Sequence, residues 1–137
     1  MTLLNIIGDC ALVALGGGLG ALSRYGVEQL PFLDHDKYYF TVAINITGCL
    51  VIGFLWALFQ HLGLPKWVYL VALTGFLGGY TTYSAFTLDA MQLIQNGRIG
   101  EMLFYVAITV VGGLGACALG LFGTEKLLRM ILHHVML

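Results

Sequence analysis

Charged residues are absent from three long stretches of the chain, and this pattern predicts its helices. Residues 38–65, 67–88 and 102–124 contain no Asp, Glu, Lys or Arg, and a fourth apolar run, residues 3–23, contains only Asp9. A helix needs roughly 20 apolar residues to cross a bilayer. The pattern therefore predicts four transmembrane helices and an amphipathic, interfacial tail: about residues 4–30, 38–61, 66–95 and 99–122, with the tail at 123–137.

The third run has a glycine-rich and polar centre that does not suit a plain membrane helix. Gly78 and Gly79 weaken a helix, and the β-branched residues Thr81 and Thr82 follow directly. Irregular backbone is tolerated within a bilayer only where it is buried in protein or lines a wet cavity. We therefore predict that helix 3 is broken at the membrane midplane, as in transporters that bind ions at such breaks.

The composition places the chain among membrane proteins. Only 9% of its 137 residues are charged and 59% are hydrophobic, whereas a soluble domain carries roughly 25% charged residues. The net charge of −1 offers no basic surface for nucleic acid. The three cysteines lie singly inside apolar runs, which argues against a metal or disulfide framework. No nucleophile–base pair stands out, so we predict that the protein is not an enzyme.

Small residues recur at four-residue spacing in helices 1 and 4. Gly16 and Gly20 form a G-x-x-x-G face, and Gly112, Ala116 and Gly120 form a second face. Such faces allow the backbone of another helix to approach closely. We predict that both faces take part in close helix packing.

Two polar residues stand out in otherwise apolar helices. Asn45 is the strongly polar residue of helix 2, and it either bonds a neighbouring helix or presents its amide N–H groups to an anion path. Arg24 lies near the end of helix 1, where its long side chain can reach the water interface.

Positive charge is balanced between the two sides of the predicted membrane. Each side holds three Lys or Arg residues, namely Lys66, Lys126 and Arg129 on one side and Arg24, Lys37 and Arg98 on the other. This balance gives the positive-inside rule almost nothing to act on. We therefore expect insertion in both orientations and an antiparallel, dual-topology homodimer. The second copy then supplies the wall that four small helices lack.

Three motifs occur in order along the chain: Gly16-Gly-x-x-Gly-Ala-x-x-Arg-Tyr25, Asn45-x-x-Gly48 and Gly78-Gly-x-Thr-Thr-Tyr-Ser-x-Phe86. In this order and spacing, the chain resembles the Fluc/CrcB family of fluoride channels over essentially its whole length. The third motif is the most specific. The resemblance implies a passive, fluoride-selective channel of the bacterial inner membrane that lowers cytoplasmic fluoride. It also implies two pores per antiparallel homodimer and a structural sodium ion at the dimer centre.

The resemblance also assigns roles to individual residues. The backbone carbonyls of Gly78 and Thr81 hold the sodium ion, and Tyr83 and Phe86 are the rings that face the pore. Two departures from the family pattern occur in this motif, because Tyr83 replaces a usual phenylalanine and Ala85 replaces a usual threonine or serine.

The remaining family roles fall on polar side chains. Asn45 belongs to the fluoride path, and so do four hydroxyl residues, Ser84, Thr82, Thr87 and, as the weakest match, Thr109. Arg24 and Asp89 match residues of the vestibule or interface.

The chemistry of these side chains suits fluoride, a small anion that holds its water tightly. Dehydrating such an ion requires hydrogen-bond donors at close range. Asn45 and the hydroxyls donate without a fixed charge, so the ion both binds and leaves. An aromatic ring presents a positive edge, which Phe86 could offer to an anion. The alternative for the two rings is that they only fill space between helices.

Two other membrane functions fit four short helices. A dual-topology exporter of cationic compounds, resembling the small multidrug exporters, needs a carboxylate in helix 1. Asp9 is the acid available there, and it lies close to the N-terminal end. A structural or assembly protein would leave Asn45 and the hydroxyl cluster without a role.

Overall fold

The structure, a computed structural model, describes residues 2–30 and 36–135, and every regular element within these ranges is a helix. Helix α3 has three parts, because an α-helical start widens into a π-helix and closes with one α-helical turn. In chain order the elements are α1 (Leu3–Glu28), α2 (Tyr38–Leu62), α3 (Lys66–Tyr69, π-helix Leu70–Leu77, Gly78–Tyr80), α4 (Tyr83–Gln95) and α5 (Ile99–Val135).

Within residues 2–30 and 36–135, three helices are long and apolar enough to cross a membrane, namely Leu3–Glu28, Tyr38–Leu62 and Ile99–His134. Large apolar side chains along them point outward, for example Leu4 and Leu119. A water-soluble monomer rarely exposes contiguous apolar surface of this extent. The all-helical, multi-pass membrane architecture predicted from the sequence is therefore confirmed.

The third predicted helix is broken, and the break lies at the threonines rather than at the glycines. Thr81 and Thr82 are extended, with ψ angles of 160° and 120°, and α4 begins at the next residue. Gly78 and Gly79 remain helical. A Cβ on Gly79 would collide with the carbonyl of Gly17, so this glycine serves close packing. The π-helical turns of α3 were not predicted.

The prediction that helix 4 ends near Phe122 is wrong, because α5 continues as one helix to Val135. The predicted tail at residues 123–137 is therefore helical throughout its described part. Residues 125–132 are mostly strong helix formers, and a single Gly123 costs only about 0.5–1 kcal/mol. Charged residues after Phe122 bear on membrane burial, but they do not end a helix.

Glycines bring α1 directly against α3, in a contact that we call the α1–α3 seam (Gly16, Gly20, Gly75 and Gly79). A Cβ on Gly16 would lie 2.9 Å from the backbone nitrogen of Phe76, and one on Gly20 would lie 2.9 Å from that of Tyr80. Only a residue without a side chain allows this approach. The packing role predicted for the G-x-x-x-G face of helix 1 is confirmed.

A second glycine contact joins α2 to α5, and we call it the α2–α5 seam (Gly53 and Gly120). A Cβ on Gly53 would lie 2.9 Å from the nitrogen of Leu121, and one on Gly120 would lie 2.9 Å from that of Phe54. Of the small residues predicted to pack in helix 4, Gly120 thus meets a backbone. Gly112 meets the side chain of Ile46 instead.

Ion pairs tie the ends of the helices together. At one end Arg98 pairs with Asp36 and Glu101, and the hydroxyl of Tyr38 donates to Glu101 at 3.1 Å. The bonds to Glu101 and then Asp36 raise the pKa of Arg98 above its usual value. The turn before Arg98 is the one that its sequence predicts, with Gly97 at a φ of 72°. At the other end Lys66 pairs with Asp9.

Candidate functional site

The break between α3 and α4 interrupts the helical hydrogen bonds of four consecutive carbonyls. In an α-helix the carbonyl of each residue accepts from the N–H four positions later. With Thr81 and Thr82 extended, the carbonyls of residues 78–81 lose that arrangement. The N–H groups that would have donated to these carbonyls must then bind other acceptors.

Two of those donors are diverted to side chains. The N–H of Thr82, four residues after Gly78, donates to Asn45 Oδ1 at 2.9 Å. The N–H of Ala85, four residues after Thr81, donates to Thr82 Oγ1 at 3.1 Å, as in a typical helix N-cap. The carbonyls of Gly78 and Thr81 are therefore released from helical bonding. These are the two oxygens that the family resemblance assigned to sodium.

Asn45 holds the break from the neighbouring helix α2. Its Oδ1 accepts from the N–H of Thr82, and its Nδ2 donates to the carbonyl of Thr82 at 3.0 Å. The interhelical bond predicted as one alternative for Asn45 is thus present. The amide has two N–H donors, and this pairing uses one of them. Because this pairing leaves the second N–H of the amide unused, a role of Asn45 on an anion path is compatible with it and stays a prediction.

The predicted hydroxyls divide into two groups by what they bind. Thr87 and Thr109 donate to carbonyls of their own helices, Ser84 at 3.0 Å and Tyr105 at 2.7 Å. Thr82 and Ser84 share one hydrogen bond, with their oxygens 3.3 Å apart. Whichever of these two hydroxyls donates, the other keeps its hydrogen for a further acceptor.

Aromatic rings form a series that begins at the break. Tyr83, a residue that is 78% exposed, lies 5.7 Å from Phe86 between ring centroids. Phe86 lies 5.3 Å from Tyr105, and Tyr105 lies 5.4 Å from Tyr38 in an edge contact. Tyr105 is fully buried. The series therefore runs from the break to the end of the bundle that Arg98 closes.

Asp89 lies among α2, α4 and α5, where two hydroxyls bind it. Thr41 donates to its carboxylate at 2.7 Å and Tyr105 donates at 3.2 Å. Sequence reasoning missed Thr41 and Tyr105 as partners. The available signal was weak: Tyr105 is four residues before Thr109, and so on the same face of α5.

Arg24 reaches the break from α1. Its Nη1 donates to the carbonyl oxygen of Thr81 at 3.4 Å, in a partly buried position. The sequence placed this side chain towards the water interface, in a vestibule. Among the described residues, Arg24 donates to the released carbonyl of Thr81, the residue that directly follows α3.

A cavity of about 910 Å³ collects most of these groups between α2, α3, α4 and α5. Its walls are mainly apolar, with side chains such as Trp56, Leu73 and Leu121. Of the predicted site residues, seven line it: Asn45, Gly78, Thr81, Thr82, Tyr83, Phe86 and Thr109. Four others do not, namely Arg24, Ser84, Thr87 and Asp89.

Fold and site together define a multi-pass helical membrane protein with a hydrogen-bonded break in one helix and an apolar cavity beside it. A family model described as CrcB-like protein, Camphor Resistance (CrcB), matches residues 11–121. The chain belongs to this family, and the resemblance seen in its motifs is confirmed.

Relatives with similar sequences carry one shared description. A protein of Pseudomonas putida is 40% identical over 81% of this chain and 92% of its own length. One of Paracoccus denitrificans is 46% identical over 80% and 88%, and one of Azotobacter vinelandii is 37% identical over 88% and 99%. Each is named a fluoride-specific ion channel, FluC. Because the family to which the chain belongs is one of ion channels, the prediction that the protein is not an enzyme is confirmed.

Proposed function

We propose that this protein is a fluoride-selective ion channel that lets fluoride leave the cytoplasm passively and so lowers its concentration there. The observation that carries the proposal is the group of uncharged hydrogen-bond donors around the break. Asn45, Thr82 and Ser84 together keep an amide N–H and a hydroxyl hydrogen for a further acceptor. The names of the relatives point to fluoride among the anions.

The side chains provide what a dehydrated fluoride ion needs. The spare N–H of Asn45 and the spare hydroxyl hydrogen beside Thr82 replace water as donors. The edge of the Phe86 ring adds a weakly positive surface. Among the described residues that line the cavity, none is charged. Because no fixed positive charge traps the anion, it leaves as readily as it enters.

The working unit in this proposal is an antiparallel, dual-topology homodimer with two pores. The exposed ring of Tyr83 and the apolar cavity beside it leave a face that a second copy covers. The equal positive charge on the two sides favours insertion in both orientations. Tags on the C-terminus should then be found on both sides of the membrane, and one orientation for all copies would exclude this arrangement.

A sodium ion at the centre of the dimer is also part of the proposal. One chain offers the released carbonyl oxygens of Gly78 and Thr81, so two copies offer four. Unwound backbone carbonyls and helix ends are the ligands that membrane proteins use for sodium. Among the described residues, no cluster of three or more His, Cys, Asp and Glu competes for a metal. The ion would join the two chains and neutralise the negative end of α3.

Export of cationic compounds is less well supported. Such an exporter needs a carboxylate in α1 that a substrate can reach. Asp9 is bound by Lys66, close to the ends of α1 and α3.

We place the protein in the bacterial inner membrane, because its apolar helices suit that membrane and outer-membrane spans are β-barrels.

Purified protein in liposomes tests the proposed activity. Liposomes loaded with potassium fluoride receive valinomycin, so potassium leaves and an external electrode records the fluoride that follows. We expect fast efflux of fluoride, and no chloride efflux from chloride-loaded liposomes. Empty liposomes provide the baseline. Equal fluoride and chloride rates would remove the selectivity, and a baseline rate from intact dimers would remove the channel assignment.

A further inference from the structure

The guanidinium of Arg24 and the proposed sodium ion share a ligand. Arg24 Nη1 donates to the carbonyl oxygen of Thr81, which has lost its helical donor because the N–H of Ala85 binds Thr82 Oγ1. Thr81 is also one of the two residues whose carbonyls the proposed sodium site uses. A positive charge belonging to the chain itself therefore lies at the cation site.

The α1–α3 seam explains how Arg24 reaches this oxygen. Gly20 lies four residues before Arg24, so the two share one face of α1. A Cβ on Gly20 would lie 2.9 Å from the nitrogen of Tyr80, so nothing separates the two backbones at the last turn of α3. This close approach directs Arg24 to the C-terminal end of α3. Carbonyls there carry negative partial charge, which a cation stabilises.

We propose that Arg24 is a built-in cation at the break: it caps the Thr81 carbonyl when sodium is absent and weakens sodium binding when sodium is present. The inference rests on the sodium site of the proposed function. A guanidinium does not lose its proton in a protein, so its charge is permanent. A carbonyl oxygen has two lone pairs, so both cations can bind it. Their mutual repulsion, stronger away from water, then lowers the affinity for sodium.

The replacement Arg24→Gln tests this role, because glutamine keeps an N–H donor and removes the charge. Thermal unfolding of the full chain in detergent is followed while sodium replaces N-methyl-D-glucamine. Without sodium, Arg24→Gln should unfold at a lower temperature than the wild type. Its stabilisation by sodium should be half complete at a concentration about tenfold or more below that of the wild type.

Two further variants control the experiment. Arg129→Gln removes the same charge from an exposed position in the last part of α5, and it should titrate with sodium like the wild type. Arg24→Lys keeps the charge on a side chain with shorter reach, and its sodium midpoint should fall between those of Arg24→Gln and the wild type. If Arg24→Gln does not fold, Arg24→Lys is the test. A sodium midpoint below that of the wild type supports the role of Arg24, and a midpoint equal to that of the wild type overturns it.

The outcomes separate the inference from the proposed function. If sodium stabilises the wild type and the Arg24 variants with the same midpoint, Arg24 has no such role and the cation site stands. If sodium stabilises none of them, both the sodium site and the role of Arg24 are wrong. Fluoride efflux from the same preparations tests the channel independently of either result.

Discussion

The two glycine seams and the break hold the helices together in different ways. In the seams the backbones of neighbouring helices touch, and a single added Cβ would collide. At the break and along α4 after it, side chains span the gap: Asn45 binds Thr82, and Thr41 and Tyr105 bind Asp89. The seams depend on shape and the break depends on hydrogen bonds.

This difference assigns stability and ion chemistry to different residues. A seam has no room for another atom and offers an ion no side-chain donor or acceptor. At the break, one N–H of Asn45 and one hydroxyl hydrogen of the Thr82–Ser84 pair are not used by these bonds and can donate to an ion. Substitutions in the seams should therefore act on folding, while substitutions at the break should act on flux.

The largest expected effect comes from two adjacent glycines, of which only one belongs to a seam. A Cβ on Gly79 would meet the carbonyl of Gly17, whereas a Cβ on Gly78 would meet no atom of the described residues within 4 Å. Gly79→Ala should cost more than about 3 kcal/mol and abolish folding, because backbone cannot move aside cheaply. Gly78→Ala should stay within about 1 kcal/mol of the wild type. Thermal unfolding and gel filtration measure both, and equal losses would contradict the seam.

Asn45→Asp should have the next largest effect, and it should act on flux. The carboxylate still accepts from the N–H of Thr82, but it cannot donate to the Thr82 carbonyl, and its charge repels an anion. Fluoride efflux should fall about 100-fold or more, while the protein still folds. Gln60→Glu makes the same chemical change on an exposed part of α2 and should conduct normally. Wild-type efflux from Asn45→Asp would take Asn45 off the ion path.

Phe86→Ile separates the two interpretations of the rings. Phe86 packs between Tyr83 and Tyr105, and isoleucine keeps most of its apolar volume. The loss of stability should stay below about 1.5 kcal/mol. An edge contact between two aromatic rings is worth about 0.5–1.5 kcal/mol, and for an edge contact of similar size with the ion efflux should fall by up to roughly tenfold. Unchanged efflux at unchanged stability would show that Phe86 only packs.

Tyr83→Phe should have the smallest effect, and it restores the residue that is usual in the family resemblance. Tyr83 is 78% exposed, so removing its hydroxyl should change stability by less than about 0.5 kcal/mol. Efflux should remain within about twofold of the wild type, because the ring edge is kept. A large change in either direction would place the Tyr83 hydroxyl itself on the ion path.

The sequence predicted the helices where a local rule applied. Long runs without charge located the apolar helices Leu3–Glu28, Tyr38–Leu62 and Ile99–His134, and the run around Gly78 and Thr81 located the break. The same reasoning ended helix 4 at Phe122, because it took the return of charged residues for the end of a helix. The structure continues that helix to Val135.

The partners at the break could not be predicted, because they depend on how the helices are aligned. Nothing local pairs Asn45 with Thr82, or Arg24 with Thr81, across 37 and 57 residues of sequence. The two neighbouring glycines also look equivalent in the sequence. Only the packed helices show that Gly79 faces α1 and that Gly78 lies at the cavity.

The released carbonyls of Gly78 and Thr81 have a consequence for how this protein can evolve. They belong to the backbone, so no replacement of their own side chains deletes them. What releases them is a pair of acceptors elsewhere, Asn45 Oδ1 and Thr82 Oγ1. Heritable variation in whether these carbonyls are released must then arise at the positions that supply the acceptors, 45 and 82, rather than at 78 or 81. A random-mutagenesis screen for altered ion dependence should return changes at those two codons more often than at 78 or 81.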